Sequence, residues 1–305
     1  MNIQVILHQI AVLFVLIAVG FLFGKFKVLT QDGNKALSKF VLFIALPCTV
    51  LNSVFEIEAD ITISSTLYFM LMSLLSIVIA FAIAVPLILL LSGKKGDRGL
   101  LSFMSVFSNS GFMGFPVVIA LFGSASAFYV ALFNIPFNAI VFSLGIFMIA
   151  GKGGRFDPKI LLNPTLITCI LSVAIALTGP QIPFVITEAI RITGNITTPG
   201  AMIVIGASLA FIPLKSVFSD WRIAPVTLIK LIIVPVITWL ILKQFITDEF
   251  ILGVLVVIAC MPTAAMSAML ALEYGGNERT ASAGIFTTTL LSAISVPLIV
   301  YYLLM

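Results

Sequence analysis

Asn109, Ser110 and Gly111, followed by Gly114 and Pro116, fall within eight residues of one another in FSNSGFMGFPVVIALFG (residues 107–123), a stretch otherwise apolar. Gly costs roughly 1 kcal/mol and Pro about 3 at an interior helix position relative to Ala, so this cluster interrupts a helix. The half-helix that restarts presents free backbone N–H groups and the positive end of its dipole, the chemistry of an anion site. The Asn109 carboxamide can add a donor to a carboxylate beside those amides. A second interruption, Cys260-Met261-Pro262-Thr263 with Ser267 one turn further on, offers the same groups. Lys230 lies about eight residues into another apolar run, roughly 12 Å deep at 1.5 Å per residue. At that depth an ammonium is a counter-charge for an anion, a proton-linked site if burial favours its neutral form, or a snorkelling side chain. Asn52, with Pro47, Asn195, Thr197, Thr198 and Pro199, could line a cavity opposite the breaks, or make helix–helix hydrogen bonds instead.

Catalytic chemistry finds no foothold. There is no His-Glu-x-x-His pair, no Gly-x-Ser-x-Gly elbow and no phosphate-binding loop. The two Trp and five Tyr form no stacking array. Catalytic residues, a metal site and a cofactor are therefore all expected to be absent, and the protein is not expected to be an enzyme. No carboxylate lies at the centre of either interrupted stretch, which gives little support to a sodium or proton site built from a buried acid.

The elements that must position these residues are membrane spans. Of the 305 residues 61 % are hydrophobic and 9 % charged, against roughly 25 % charged in soluble domains. Apolar runs of about 20 residues predict ten spans, at 5–24, 38–54, 64–92, 99–122, 126–150, 160–178, 184–211, 223–243, 250–272 and 280–304. Lys25, Lys27, Lys35, Lys39, Lys94, Lys95, Arg98, Lys152, Arg155, Lys159, Lys215, Arg222 and Arg279 all follow odd-numbered spans. Glu56, Glu58 and Asp60 lie on the opposite side. Cations are retained on the cytoplasmic side, so a multi-pass protein of the inner or plasma membrane with both termini extracytoplasmic is expected. The first span has no basic region before it and is expected to be retained rather than cleaved. The net charge of +4 comes from these loops and implies no nucleic-acid partner. Cys48, Cys169 and Cys260 sit within spans as small buried hydrophobes. Glu188 and Arg191, three apart, form a structural pair, and His8 is an interfacial polar residue.

An offset of about 151 residues lays Asp97 on Asp248, Leu101 on Leu252, Val106 on Val257 and Asn109–Gly111 on Cys260–Pro262. Slightly beyond, SASA (Ser124–Ala127) meets TASA (Thr280–Ala283), and Pro47 meets Pro199. Five spans per half is odd, so the second half is expected to enter the membrane inverted, as in many secondary transporters that hold substrate at the midplane between broken helices. The division expected is 1–150 for the first repeat, 151–159 for a short cytoplasmic linker and 160–305 for the second repeat.

Three segments, FIALPCTVLNSVF (Phe43–Phe55), NSGFMGFP (Asn109–Pro116) and MPTAAMSAMLALEYGGNERTASAGIFTTTLLSAISVP (Met261–Pro297), resemble the auxin efflux carrier family, and the likeness covers essentially the whole chain. The resemblance implies an all-α fold of ten transmembrane helices in two inverted five-helix repeats, with broken helices 4 and 9 crossing near the midplane. It implies that spans 1, 2, 6 and 7 form a scaffold and spans 3–5 with 8–10 a transport domain that moves as an elevator. Asn109 matches the family's substrate-contacting asparagine. The plant carriers have a long hydrophilic segment between the halves, where this chain has only GKGGRFDPK (Gly151–Lys159). That points to a compact prokaryotic-type member and away from auxin itself, toward small carboxylates such as malate or malonate.

The function expected is secondary-active or facilitative transport of a small organic anion by alternating access. A sodium-coupled symporter of the bile-acid type and a transporter-like ligand receptor are the alternatives. The substrate-binding residues expected are Asn109, Ser110, Gly111, Gly114, Pro116, Pro262, Thr263, Ser267, Asn52 and Lys230. The partners are the anion and the lipid bilayer, with a second copy of the chain a candidate.

Overall fold

The computed structural model describes residues 3–57, 61–91, 97–151, 164–180, 182–213 and 220–304. The expected linker 151–159 beyond Gly151, the cations Lys94, Lys95, Lys152, Arg155, Lys159 and Lys215, and the acids Glu58 and Asp60 lie outside the described residues.

Helix occupies each apolar stretch. In chain order the helices are α1 (Ile3–Lys25), α2 (Gln31–Phe55), α3 (Ile63–Leu91), α4 (Arg98–Val106), α5 (Ser110–Phe122), α6 (Ser126–Ala150), α7 (Pro164–Thr178), α8 (Phe184–Gly194), α9 (Thr197–Ala210), α10 (Ile223–Leu242), α11 (Glu249–Cys260), α12 (Ser267–Glu273) and α13 (Glu278–Leu304). Among the described residues, seven stretches are long and apolar enough to cross a membrane: α1, α2, α3, α6, α8 with α9, α10 and α13. Large apolar side chains such as Val15, Leu67, Leu90, Phe184 and Ile294 point outward. On a water-soluble protein such a surface would be a liability, but lipid accommodates it. The protein is a polytopic membrane protein.

Prolines shape the helices in a repeated way. A π turn begins six residues before Pro47, Pro116 and Pro235, at Val41–Ala45, Ser110–Gly114 and Ile229–Ile233. The N–H groups of Leu46, Gly114 and Val234 reach back five residues, to the carbonyls of Val41, Asn109 and Ile229. A proline ring collides with the carbonyl four residues before it in an α-helix, and a widened turn gives that carbonyl room.

Close backbone approach decides the packing of α1 on α9. A Cβ on Gly206 would collide with the carbonyl oxygen of Ile17, and one on Gly20 with that of Ile203. Glycine at both positions lets the two backbones touch, as small residues do between membrane helices. Elsewhere α2 packs on α7 and α8, α3 on α4 and α6, and α10 on α11. The Thr49 hydroxyl donates to Thr197 Oγ1 at 2.7 Å and lies 2.8 Å from the Gly194 carbonyl. Thr197 therefore serves the helix–helix contact.

A charged cluster ties the starts of α4, α10 and α13. Arg222 donates to Asp220 at 2.7 and 2.8 Å and to Asp97 at 2.8 Å, and the Thr280 hydroxyl donates to Asp220 at 3.1 Å. The hydrogen bond from Arg222 leads the forces that hold the Asp220 carboxyl below its ordinary value, and the same bond pushes the Arg222 guanidinium up. Glu188 and Arg191 pair as the spacing predicts, with Arg191 Nε donating to Glu188 at 2.8 Å. His8 is exposed.

Candidate functional site

Acids stand before two helix starts at matched positions of the offset alignment, although only the second caps its helix with its side chain. Asp97 stands at the N-cap of α4, and Asp248 at the N-cap of α11, where its carboxylate accepts from Phe250 and Ile251 N–H at 2.8 and 3.2 Å. From those starts α4 runs nine residues and α11 twelve, and both then stop. The released backbones meet. Ser108 and Thr263 form an antiparallel bridge, in which Asn109 N–H donates to the Pro262 carbonyl at 2.8 Å and Ala264 N–H to the Phe107 carbonyl at 2.9 Å. Non-helical backbone at membrane depth has to satisfy its polar groups within the protein, and here the two breaks satisfy each other.

Side chains reinforce the junction. The Thr263 hydroxyl donates to the Met104 carbonyl in the last turn of α4, while Thr263 N–H donates to Thr288 Oγ1 on α13 at 3.2 Å. Ser267 N–H donates to the Ala264 carbonyl at 3.0 Å, and its buried hydroxyl donates to the same oxygen.

The break in the fourth stretch lies at Phe107–Asn109, one turn earlier than the sequence pattern places it. Gly114 and Pro116 stand beyond it, within and after the π turn that opens α5. The proline shapes α5 rather than the extended crossing, because the inter-strand hydrogen bonds already hold the chain out of helix.

At the start of α5, Asn109 Oδ1 accepts from Phe112 N–H at 3.3 Å, an N-cap. Its Nδ2 has no hydrogen-bond partner among the described residues, and the residue as a whole is 5 % exposed. Ser110 donates to Asn134 Oδ1 at 2.7 Å, and Asn134 Nδ2 donates to the Val130 carbonyl, which fixes the orientation of both. Half-buried Gly111 faces open space, with no atom within 4 Å of an added Cβ. A free amide donor, a helix start and unfilled volume thus coincide at Asn109–Gly111. The sequence pattern assigned an anion-binding start to both restarted half-helices. α12 is only seven residues long, about two turns, so the aligned dipole is carried by α5.

Lys230 sits in the π turn of α10 and is fully buried. Snorkelling is thereby replaced by burial at the crossing. Its Nζ donates to Ser108 Oγ at 2.6 Å and reaches the carbonyls of Val106 and Ala259 at 3.4 Å each. Those carbonyls belong to the last turns of α4 and α11. An ammonium has three donors, and all three are taken. No carboxylate lies within 4 Å of it among the described residues. Each helix C-terminus carries roughly −0.5 charge, so two of them offset about one cation.

The structure therefore brings together Asn109, Ser110, Gly111, Gly114, Pro262, Thr263, Ser267 and Lys230 at or beside the crossing, with Pro116 two turns into the second half. Asn52 is not among them, because its Nδ2 donates to Glu56 at 2.7 Å, and Glu56 also accepts from Ser124. Sequence reasoning passed over Ser108. A serine one residue before Asn109 in an already polar cluster carries no signal of its own until Lys230 is seen to reach it.

Residues 5–300 match the profile of the family described as membrane transport protein, so the likeness to auxin efflux carriers read from three segments extends along the chain. An uncharacterized transporter of Methanocaldococcus jannaschii is 27 % identical over 95 % of this chain and 96 % of its own. One of Methanothermobacter thermautotrophicus is 26 % identical over 93 % and 94 %. A Rhizobium meliloti protein named "Putative malonate transporter" is 25 % identical over 94 % and 92 %.

Proposed function

Because the chain belongs to the membrane transport protein family, we propose that it is a secondary-active or facilitative transporter of a small organic anion, a mono- or dicarboxylate. The observation that carries this reading is the unpartnered Nδ2 of Asn109 beside the start of α5 and the open space at Gly111. A carboxylate placed there would accept from the amide and from the first N–H groups of α5, with the helix dipole favouring its charge. Ser110, Gly114 and Pro116 shape that helix start, while Pro262, Thr263, Ser267 and Lys230 hold the crossing against it. The name of the Rhizobium relative favours a dicarboxylate of malonate size.

In this reading the chain crosses the inner or plasma membrane ten times, as two inverted five-helix repeats with both termini extracytoplasmic. Matched N-caps at Asp97 and Asp248 support the repeat. Helices α1, α2 and α7–α9 form a scaffold, dimeric with a second copy, and the remaining helices move against it as an elevator. The mutual hydrogen bonding of the two breaks supports their moving together.

Uptake of labelled malonate and other short carboxylates into proteoliposomes, with sodium and proton gradients imposed separately, tests the reading. Saturable uptake of a carboxylate is expected. Strict dependence on sodium would overturn the uncoupled or proton-linked version, tight binding without flux would favour a receptor, and neither binding nor flux of any carboxylate would remove the anion.

A further inference from the structure

We propose that the ammonium of Lys230 is a built-in cation, occupying at the crossing a site that would otherwise hold a dehydrated monovalent metal ion. This inference deepens the reading of the crossing as the working centre and rests on it.

The site has the parts of a metal-cation site. Three oxygens converge on one point, the Ser108 hydroxyl and the carbonyls of Val106 and Ala259. Neutral carbonyl and hydroxyl oxygens suit hard cations. The two carbonyls lie at the C-terminal ends of α4 and α11, so two negative dipole ends face the same point. A helix ending at membrane depth leaves such carbonyls unsatisfied, and unwound carbonyls with half-helix C-terminal ends are what coordinate cations in broken-helix transporters. Beside the ammonium is a cavity of about 20 Å³, bounded by Ser76, Phe133 and Val234 among others, which is room for one water as a further ligand. Lys230 reaches this point because it lies in the π turn forced by Pro235. The charge is covalently attached, so it neither arrives nor leaves with the substrate. A coupling metal ion is then unnecessary at this site.

Removing the tether should recreate the ion site. Purified wild-type protein and the Lys230→Ala variant are heated in NaCl, KCl and choline chloride at equal ionic strength, and the midpoint of aggregation is followed by size-exclusion chromatography. Lys230→Ala should melt well below wild type in choline and recover by about 3 °C or more in NaCl or KCl, rising with salt concentration as ion binding requires. Choline is too large to enter. Wild type and Lys230→Met, whose side chain refills the space without charge, should not distinguish the three salts. Adding Ser108→Ala to Lys230→Ala should reduce the recovery. Should Lys230→Ala be too unstable to heat, the yield of monodisperse protein extracted in NaCl or KCl against choline reads the same effect. Equal behaviour of Lys230→Ala in all three salts, by melting or by yield, overturns the proposal. Equal sodium stabilisation of wild type and variant also overturns it, because the ion would then bind elsewhere. The measurement uses no substrate, so a failed transport assay and a failed cation rescue are separate results.

Discussion

Ser108 and Thr263 lie opposite one another in an antiparallel bridge, each in a break between two helices, α4 and α5 on one side and α11 and α12 on the other. The pairing has a side-chain clamp, the Thr263 hydroxyl on the Met104 carbonyl. Thr263→Val keeps the shape and the backbone bridge but leaves that carbonyl unpaired in the core. It should lower stability by about 1–3 kcal/mol, measured as a fall in melting temperature. An unchanged melting temperature would show that the backbone bridge suffices alone.

Asn109 separates two roles on one side chain. Its Oδ1 caps α5 and its Nδ2 is free. Asn109→Asp preserves the cap, since Asp caps as well as Asn, but replaces the free donor by negative charge. It should fold normally and lose anion binding more severely than Asn109→Ala. The Ala variant loses a hydrogen bond to a charged group worth roughly 1.5–3 kcal/mol, about tenfold or more in affinity. Titration of both variants with malonate checks the order, and Asp binding like wild type would remove Asn109 from the site.

Two glycines should respond in opposite ways. Gly111 faces open space, so Gly111→Leu should leave melting within a degree or two of wild type while filling the volume proposed for substrate and abolishing uptake. Gly206 abuts the Ile17 carbonyl, so even Gly206→Ala must push α1 and α9 apart and should cost at least the 1–3 kcal/mol of an overpacked core. Yield and melting temperature read the second variant, and uptake the first.

The Arg222 cluster sets a pH dependence whose sign is given by its shifts. Asp220 is held below the ordinary carboxylate value, so its stabilisation is present above that value, near 3.9, and is lost as pH falls through the depressed folded value. Arg222 is raised from an already high value and loses nothing below strong alkali. Arg222→Gln should therefore cost stability evenly from about pH 5 to 9, and the difference from wild type should shrink below about pH 4. Melting curves of both proteins across that range test this.

The apolar helices, the presence of an interruption and the Glu188–Arg191 pair were legible because each depends on neighbours in sequence: apolar run length, proline and glycine content, and three-residue spacing on a helix. Lys230 was legible only as a depth. Whether it snorkels or closes a site depends on two helix ends that arrive from opposite halves of the chain, and no local pattern encodes their convergence. Asn52 gives its amide to Glu56 one turn away, a local spacing that an apolar-run reading passes over. The tight contact of Gly206 with Ile17 was also invisible, because a glycine in an apolar run reads the same whether a backbone or a lipid lies beside it.

Each π turn that precedes Pro47, Pro116 or Pro235 holds one residue more than an α-helix would over the same rise. Five π residues carry the chain through about the same rotation as four α-helical ones, so deleting a single residue within Ile229–Ile233 would let an ordinary helix close with both halves of α10 keeping the faces they present to their neighbours. Only the turn itself would change: the carbonyl facing the Pro235 ring would lose its room, and Lys230 would shift its register against the two helix ends it now meets. Single-residue gaps in these three turns therefore differ in kind from gaps elsewhere in a helix, because they edit one site and leave the packing on either side of it in place.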